Sequence, residues 1–73
     1  MDAFERNTDK SRFEYRVDDQ VVFATYTERA GLVSINHVEA PPALRGTGAA
    51  SRLMAHILDW AHQHDVKIRP VCG

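Results

Sequence analysis

Residues 41–53 read PPALRGTGAASRL: two prolines, an arginine, two glycines around a threonine, and then the first apolar positions of a regular pattern. Pro41 and Pro42 donate no backbone hydrogen bond, so strand pairing stops by this point, and they forbid a helix just before the glycines. From Ala50 onward the apolar residues fall at Ala50, Leu53, Met54, Ile57, Leu58 and Ala61. That is the i, i+3, i+4, i+7 stripe of an amphipathic helix, running to about His64. Arg52, His56, Asp59 and Gln63 take the opposite face, and Trp60 sits at the edge of the stripe. The glycine segment is therefore a connection that enters a helix.

Beyond the helix, residues 66–72 (VKIRPVC) keep Val66 and Ile68 in phase and read as a strand. Before the prolines, residues 32–38 (LVSINHV) read as another. Strand, helix and strand make a β-α-β crossover, whose two strands run parallel if they share a sheet. Further upstream, Phe13, Tyr15 and Val17 alternate with Arg12, Glu14 and Arg16 as in a half-buried strand. Residues 21–27 (VVFATYT) are rich in β-branched and aromatic side chains and form a further strand. Asp18-Asp19 and residues 28–31 are short connections, which imply an antiparallel meander. Residues up to about Lys10 are polar and read as irregular. The fold class is α/β: a three-stranded antiparallel meander followed by one β-α-β unit, in a single domain over residues 1–73.

The bulk properties narrow the function classes. A chain of 73 residues makes one small domain. Nine basic and ten acidic residues give a formal net charge of -1, which provides no electrostatic footprint for nucleic acid and no polybasic membrane anchor. No apolar run approaches the roughly 20 residues of a membrane span. The single cysteine, Cys72, makes no internal disulfide and favours a reducing compartment such as the cytoplasm.

The connection itself carries the chemistry. A helix leaves about four N–H groups of its first turn unpaired, with partial positive charge. Glycines let the backbone turn tightly and a ligand approach closely. Arg45 adds a permanent cation suited to phosphate oxygens, and Ser51 adds a hydroxyl. These are parts of a phosphate or pyrophosphate cradle, although Gly46 and Gly48 also suit a simple tight turn. Two familiar phosphate loops fit badly. Gly48-Ala49-Ala50 lacks the Gly-Lys-Ser/Thr end of a P-loop. Ser51 stands where the dinucleotide fingerprint has its third glycine or alanine, and Val71-Cys72 where it has its acid.

Residues 12–72 resemble the small, stand-alone members of the GNAT superfamily, the acetyl-CoA-dependent N-acetyltransferases. RGTGAA, from Arg45 through Gly46, Thr47, Gly48 and Ala49 to Ala50, is similar to the RGxGxA of that subfamily. His37-Val38-Glu39-Ala40-Pro41-Pro42-Ala43-Leu44-Arg45-Gly46 resembles its strand ending in His, followed by acid-x-Pro-Pro-x-Leu-Arg-Gly. RFEYRVDDQVVFATY resembles its first two strands, and Cys72 its strand-ending cysteine. Asp19 departs from a usual turn glycine, and Val38 from a frequent threonine. Family members continue past the cysteine for roughly another helix, so the resemblance implies a domain shortened at its C-terminal end. It further implies CoA or acetyl-CoA held at Arg45, Gly46, Thr47, Gly48, Ala49, Ala50 and Ser51, an amine acceptor, and Cys72 with His37 as reactive residues. No metal is implied.

Each candidate also has a structural reading. Cys72 is in register with Val66 and Ile68, as a buried small hydrophobe would be. His37 shares an alternation phase with Val33 and Ile35, as a core histidine would. His56, His62 and His64 lack the i, i+4 spacing of a helical metal pair and read as surface or helix-end residues. Glu39 and Asp59 read as solvated charges, with Glu39 near the expected mouth and a candidate general base. The leading functional expectation is an acyltransferase acting on an unidentified amine. The alternatives are a non-catalytic CoA-binding or protein-interaction module and a nucleotide-phosphate binder. The terminal strand's free edge adds an expectation of self-association.

Overall fold

The computed structural model describes residues 2–70. Its elements are β1 (Asp2–Asn7), β2 (Arg12–Val17), β3 (Gln20–Arg29), β4 (Leu32–Glu39), a 3-10 turn (Pro42–Leu44), α1 (Ala49–Gln63) and β5 (Lys67–Pro70). The five strands form one sheet in sequence order, antiparallel from β1 to β4, with β5 parallel to β4. The β-α-β unit is as expected. The meander, however, has four strands and not three, because residues expected to be irregular form β1.

Polarity conceals β1. At two of its helix-facing positions Phe4 and Arg6 pair with Tyr15 and Phe13. Phe4 stacks on Phe13 and on His56, with ring centroids 6.0 and 5.2 Å apart. Arg6 acts as an amphipathic anchor. Its guanidinium carbon lies 4.9 Å from the Trp60 ring centre and 5.2 Å from that of Tyr26. Its Nε donates to the Tyr26 hydroxyl at 2.9 Å and its Nη2 to Glu28 at 2.6 Å. The Tyr26 hydrogen bond foremost, against the cost of burial and with help from Glu28, holds the Arg6 guanidinium above its ordinary range. A cation over two aromatic faces with a carboxylate at its end is a favourable contact although no aliphatic residue makes it.

Tight turns set the antiparallel register. Val17 pairs with Gln20 across Asp18-Asp19, and Arg29 with Leu32 across Ala30-Gly31. Ala30 and Gly31 both have positive φ, 51° and 79°, as a type I′ hairpin turn requires. Asp18 also adopts a positive φ, which Asp tolerates better than most residues.

Helix α1 covers one face of the sheet. Its buried residues are Ala49, Leu53, Ile57 and Ala61, one every four positions, flanked by half-buried Ala50, Met54 and Trp60. The stripe is thus centred differently from the expected one, and Leu58 is 54% exposed. The stripe packs on Phe13, Tyr15, Val22, Ala24, Val33 and Ile35 from β2, β3 and β4. Among the described residues no element covers the opposite face. There Arg12 lies over the Phe23 ring at 4.3 Å and pairs with Glu14 at 2.6 Å. Burial pushes the Glu14 carboxyl up, but hydrogen bonds from Arg12 and Asn7 outweigh it and hold the group below the ordinary carboxylate range. At the sheet edge, β5 carries Lys67, Arg69 and Pro70, residues that discourage further strand pairing.

Candidate functional site

The prolines do not exclude helix altogether. Residues Pro42–Leu44 make a single 3-10 turn, with proline at a first-turn position where no N–H is needed. The Leu44 side chain is buried in the core and anchors the segment. Arg45 then turns to extended backbone, Gly46 adopts φ 76°, and Gly48 adopts φ 84° and caps α1. Both glycines therefore occupy the left-handed region that L-residues avoid. A Cβ at Gly46 would meet nothing within 4 Å, and one at Gly48 only Arg52 Nη1 at 3.8 Å. Backbone conformation, with open space around it, is what these positions require.

The seven loop residues expected to hold a ligand divide into two groups. Thr47 and Ala49 are used within the loop. The Thr47 hydroxyl donates to the Leu44 carbonyl at 2.6 Å and accepts from the Ala49 N–H at 3.3 Å. The Thr47 N–H is also taken by the Leu44 carbonyl, and the Ala49 side chain is fully buried. The Arg45 N–H bonds the Pro42 carbonyl at 3.3 Å, and its Nε donates to the Ala40 carbonyl at 3.2 Å. Among the described residues, the N–H groups of Gly46, Gly48, Ala50 and Ser51 meet no acceptor. Thr47 thus braces a loop whose remaining donors are left for solvent or a ligand.

Arg52 belongs to the same place, although the sequence pattern assigned it only to the polar face of the helix. It lies in the first turn, where a cation opposes the helix dipole and no acidic residue compensates. Among the described residues neither Arg45 nor Arg52 pairs with a carboxylate. That dipole-opposing charge was the signal available in the sequence.

His37 is placed differently from the expectation. Tyr26 pairs with Ile35 and Thr25 with His37, so β4 advances two residues while β3 advances one. Asn36 is the extra residue of a β-bulge, and its Nδ2 donates to Thr27 Oγ1 at 2.8 Å. The inserted residue reverses the alternation. Val33 and Ile35 face α1, whereas His37 turns to the open face with Thr25 and Phe23, and Val38 packs toward the core instead. His37 Nε2 stands 3.6 Å from Glu39 Oε1, with both side chains 57% exposed. Cys72 lies outside the described residues, so its distance from His37 is not defined.

Described pairing of β4 with β5 runs from Leu32–Lys67 to Ile35–Pro70. The bulge, the free amides and Arg45 all lie at the carboxyl end of β4, the end where open α/β sheets bind ligands. Among the described residues no three His, Cys, Asp or Glu side chains form a metal-sized group, and no helix is long and apolar enough to cross a membrane.

No curated protein matches the chain. The family model of the GCN5-related N-acetyl-transferases matches residues 12–73, which takes in β2 to β5, the bulged strand, the braced loop and α1, and leaves out only the segment carrying β1. A sheet bulged beside a glycine loop at a helix N-terminus and this match over most of its length lead to one conclusion: the chain belongs to the GCN5-related N-acetyl-transferase family.

Proposed function

We propose that residues 1–73 form an acetyl-CoA-dependent N-acetyltransferase domain that transfers the acetyl group to an amine. The carrying observation is that, among the described residues, the N–H groups of Gly46, Gly48, Ala50 and Ser51 meet no acceptor and the two neighbouring arginines, Arg45 and Arg52, have no acidic partner. Members of this family generally use acetyl-CoA. Its pyrophosphate would lie on these amides, with Arg45 and Arg52 neutralising the charge and Thr47 acting from within as a brace. The pantetheine arm would run from the loop along the carboxyl end of β4.

Bound acetyl-CoA supplies a thioester carbonyl. Attack by a neutral amine forms the C–N bond and breaks the C–S bond, the amine loses a proton, and the departing sulfur gains one. His37 is the proposed proton acceptor, reached from the open face. Cys72, the other residue of the proposed reactive pair, is the proposed proton donor to the sulfur.

Calorimetric titration with CoA tests the binding step. Arg45→Ala and Arg52→Ala should each lose about 1.5–3 kcal/mol, the range for hydrogen bonds to charged groups. Free nucleotides lacking the pantetheine arm should bind more weakly than CoA. Unchanged CoA affinity in both arginine variants, with the fold intact, would remove the phosphate assignment. A mass-spectrometric assay of acetyl transfer to simple amines tests turnover. Rapid iodoacetamide labelling of Cys72, blocked by CoA, would support its place at the site, and slow labelling indifferent to CoA would remove it.

A further inference from the structure

We infer that Glu39 is a positioning residue for His37: its carboxylate accepts from the imidazole Nε2–H and leaves Nδ1 as the nitrogen that takes the proton. The inference rests on the proposed role of His37, but the pairing has its own evidence. His37 Nε2 and Glu39 Oε1 are 3.6 Å apart, a separation that a small side-chain rotation closes to a hydrogen bond. Before ligands bind, such contacts are often long and tighten on binding.

The fold brings the two together. Past the Asn36 bulge, His37 and Glu39 are alternate residues of one strand and share the open face. The Thr25 hydroxyl donates to the His37 carbonyl at 3.5 Å, and the Asn36–Thr27 bond holds the bulge. The charged neighbours leave the pair intact. On β2, Arg12 lies in the same cross-strand row as His37, but its guanidinium is committed to Glu14 and the Phe23 ring. On β3, Thr25 and Phe23 oppose the pair and carry no charge. On β5, Arg69 lies opposite Ser34, below the bulge. Among the described residues, Glu39 has His37 as its only ionic partner.

A neutral imidazole has one N–H and one lone pair, so the group that accepts the N–H decides which nitrogen is the base. A carboxylate beside Nε2 therefore selects the tautomer, restricts ring rotation and leaves the Nδ1 lone pair to accept the proton. The proton comes from the acceptor nitrogen as the C–N bond forms, and it passes on to solvent. Glu39 itself exchanges none.

The test has two arms. Ring nitrogen chemical shifts of 15N-labelled protein without ligand report the His37 tautomer, independently of any reaction. Wild type and Glu39→Asp should show the Nε2–H form almost alone, and Glu39→Gln should regain the larger Nδ1–H fraction of an unpartnered imidazole. In steady-state transfer, Glu39→Gln should lower kcat about 3–10-fold, part of the ~10²–10⁴ that a positioned base contributes. KM for acetyl-CoA should stay within about twofold by the same reasoning, and Glu39→Asp should restore most of kcat. A tautomer equilibrium unchanged in Glu39→Gln overturns the positioning role, whatever the activity. A changed tautomer with unaltered kcat overturns its part in the reaction. Absence of transfer in the wild type overturns the acyltransferase reading, and the tautomer arm still decides the pair.

Discussion

Replacing Gly48 by alanine separates what the loop does for folding from what it does for binding. Gly48 has φ 84° and ψ 6°. An L-residue held in the left-handed region loses about 1–2 kcal/mol. Alanine also restricts the unfolded chain, which offsets about 0.4–1 kcal/mol of that loss. No steric term need be added, because the new Cβ has only Arg52 Nη1 at 3.8 Å, an ordinary contact. The net loss is then about 1 kcal/mol, and for a domain of this size the melting temperature should fall by about 4–8 °C. The effect on CoA should be larger, since the added methyl group stands beside amides that must approach phosphate oxygens closely. An affinity decrease of about tenfold or more is expected, the equivalent of at least one charged hydrogen bond. Circular-dichroism melts and calorimetry at least 15 °C below the melting temperature, an arbitrary margin of roughly two such shifts, would measure both. A folded Gly48→Ala variant that binds CoA within about twofold of wild type would refute the loop assignment. A stability loss above about 3 kcal/mol would refute the claim that conformation alone constrains the position.

Arg6→Ala should destabilise the chain by about 1–3 kcal/mol and shift the emission of Trp60, the single tryptophan. Arg6→Lys should recover only part of this, because one guanidinium serves both Tyr26 and Glu28; denaturant titrations followed by fluorescence would check both. The folded Glu14 carboxyl lies below its ordinary value of 4.5, so its stabilisation is complete above that pH and is lost as pH falls through the folded value. Glu14→Gln should therefore be less stable than wild type near neutrality and show a shallower loss on acidification, measured by urea denaturation from neutral to acid pH. Deleting Asn36 should restore strict alternation and turn His37 toward α1, with loss of stability and transfer activity; NOEs between His37 and helix side chains would detect the change, and their absence in a folded deletion variant would contradict the bulge assignment.

The parts of the fold legible in the sequence are those whose apolar residues repeat. Phe13 and Tyr15 on β2, Val22 and Ala24 on β3, and Leu53, Ile57 and Ala61 on α1 all keep their period, and the short turns between strands follow from it. β1 was hidden because its attachment is made by one phenylalanine and one arginine. The arginine scores as polar while its guanidinium covers Tyr26 and Trp60. Leu58 misled in the opposite direction: it fits the stripe by spacing, but Ala49, Leu53, Ile57 and Ala61 set the buried line, and Leu58 falls outside it.

The glycine loop was legible as a unit because positive φ and a helix start leave a clear residue signature. Its division of labour was not. Nothing in the letters distinguishes Thr47, whose hydroxyl is spent on Leu44 and Ala49, from Ser51, whose amide stays free. The bulge was less accessible still, since alternation through Val33, Ile35 and His37 is consistent with an unbroken strand. Only the pairing with β3 reveals the extra residue, and Asn36 reaching Thr27 is a tertiary contact with no local signature. That one inserted residue governs the candidate chemistry more than any periodic feature does. It moves an imidazole from the helix side to the open face and sets it beside Glu39. An expectation built on periodicity finds the scaffold; the candidate site lies where the period is broken.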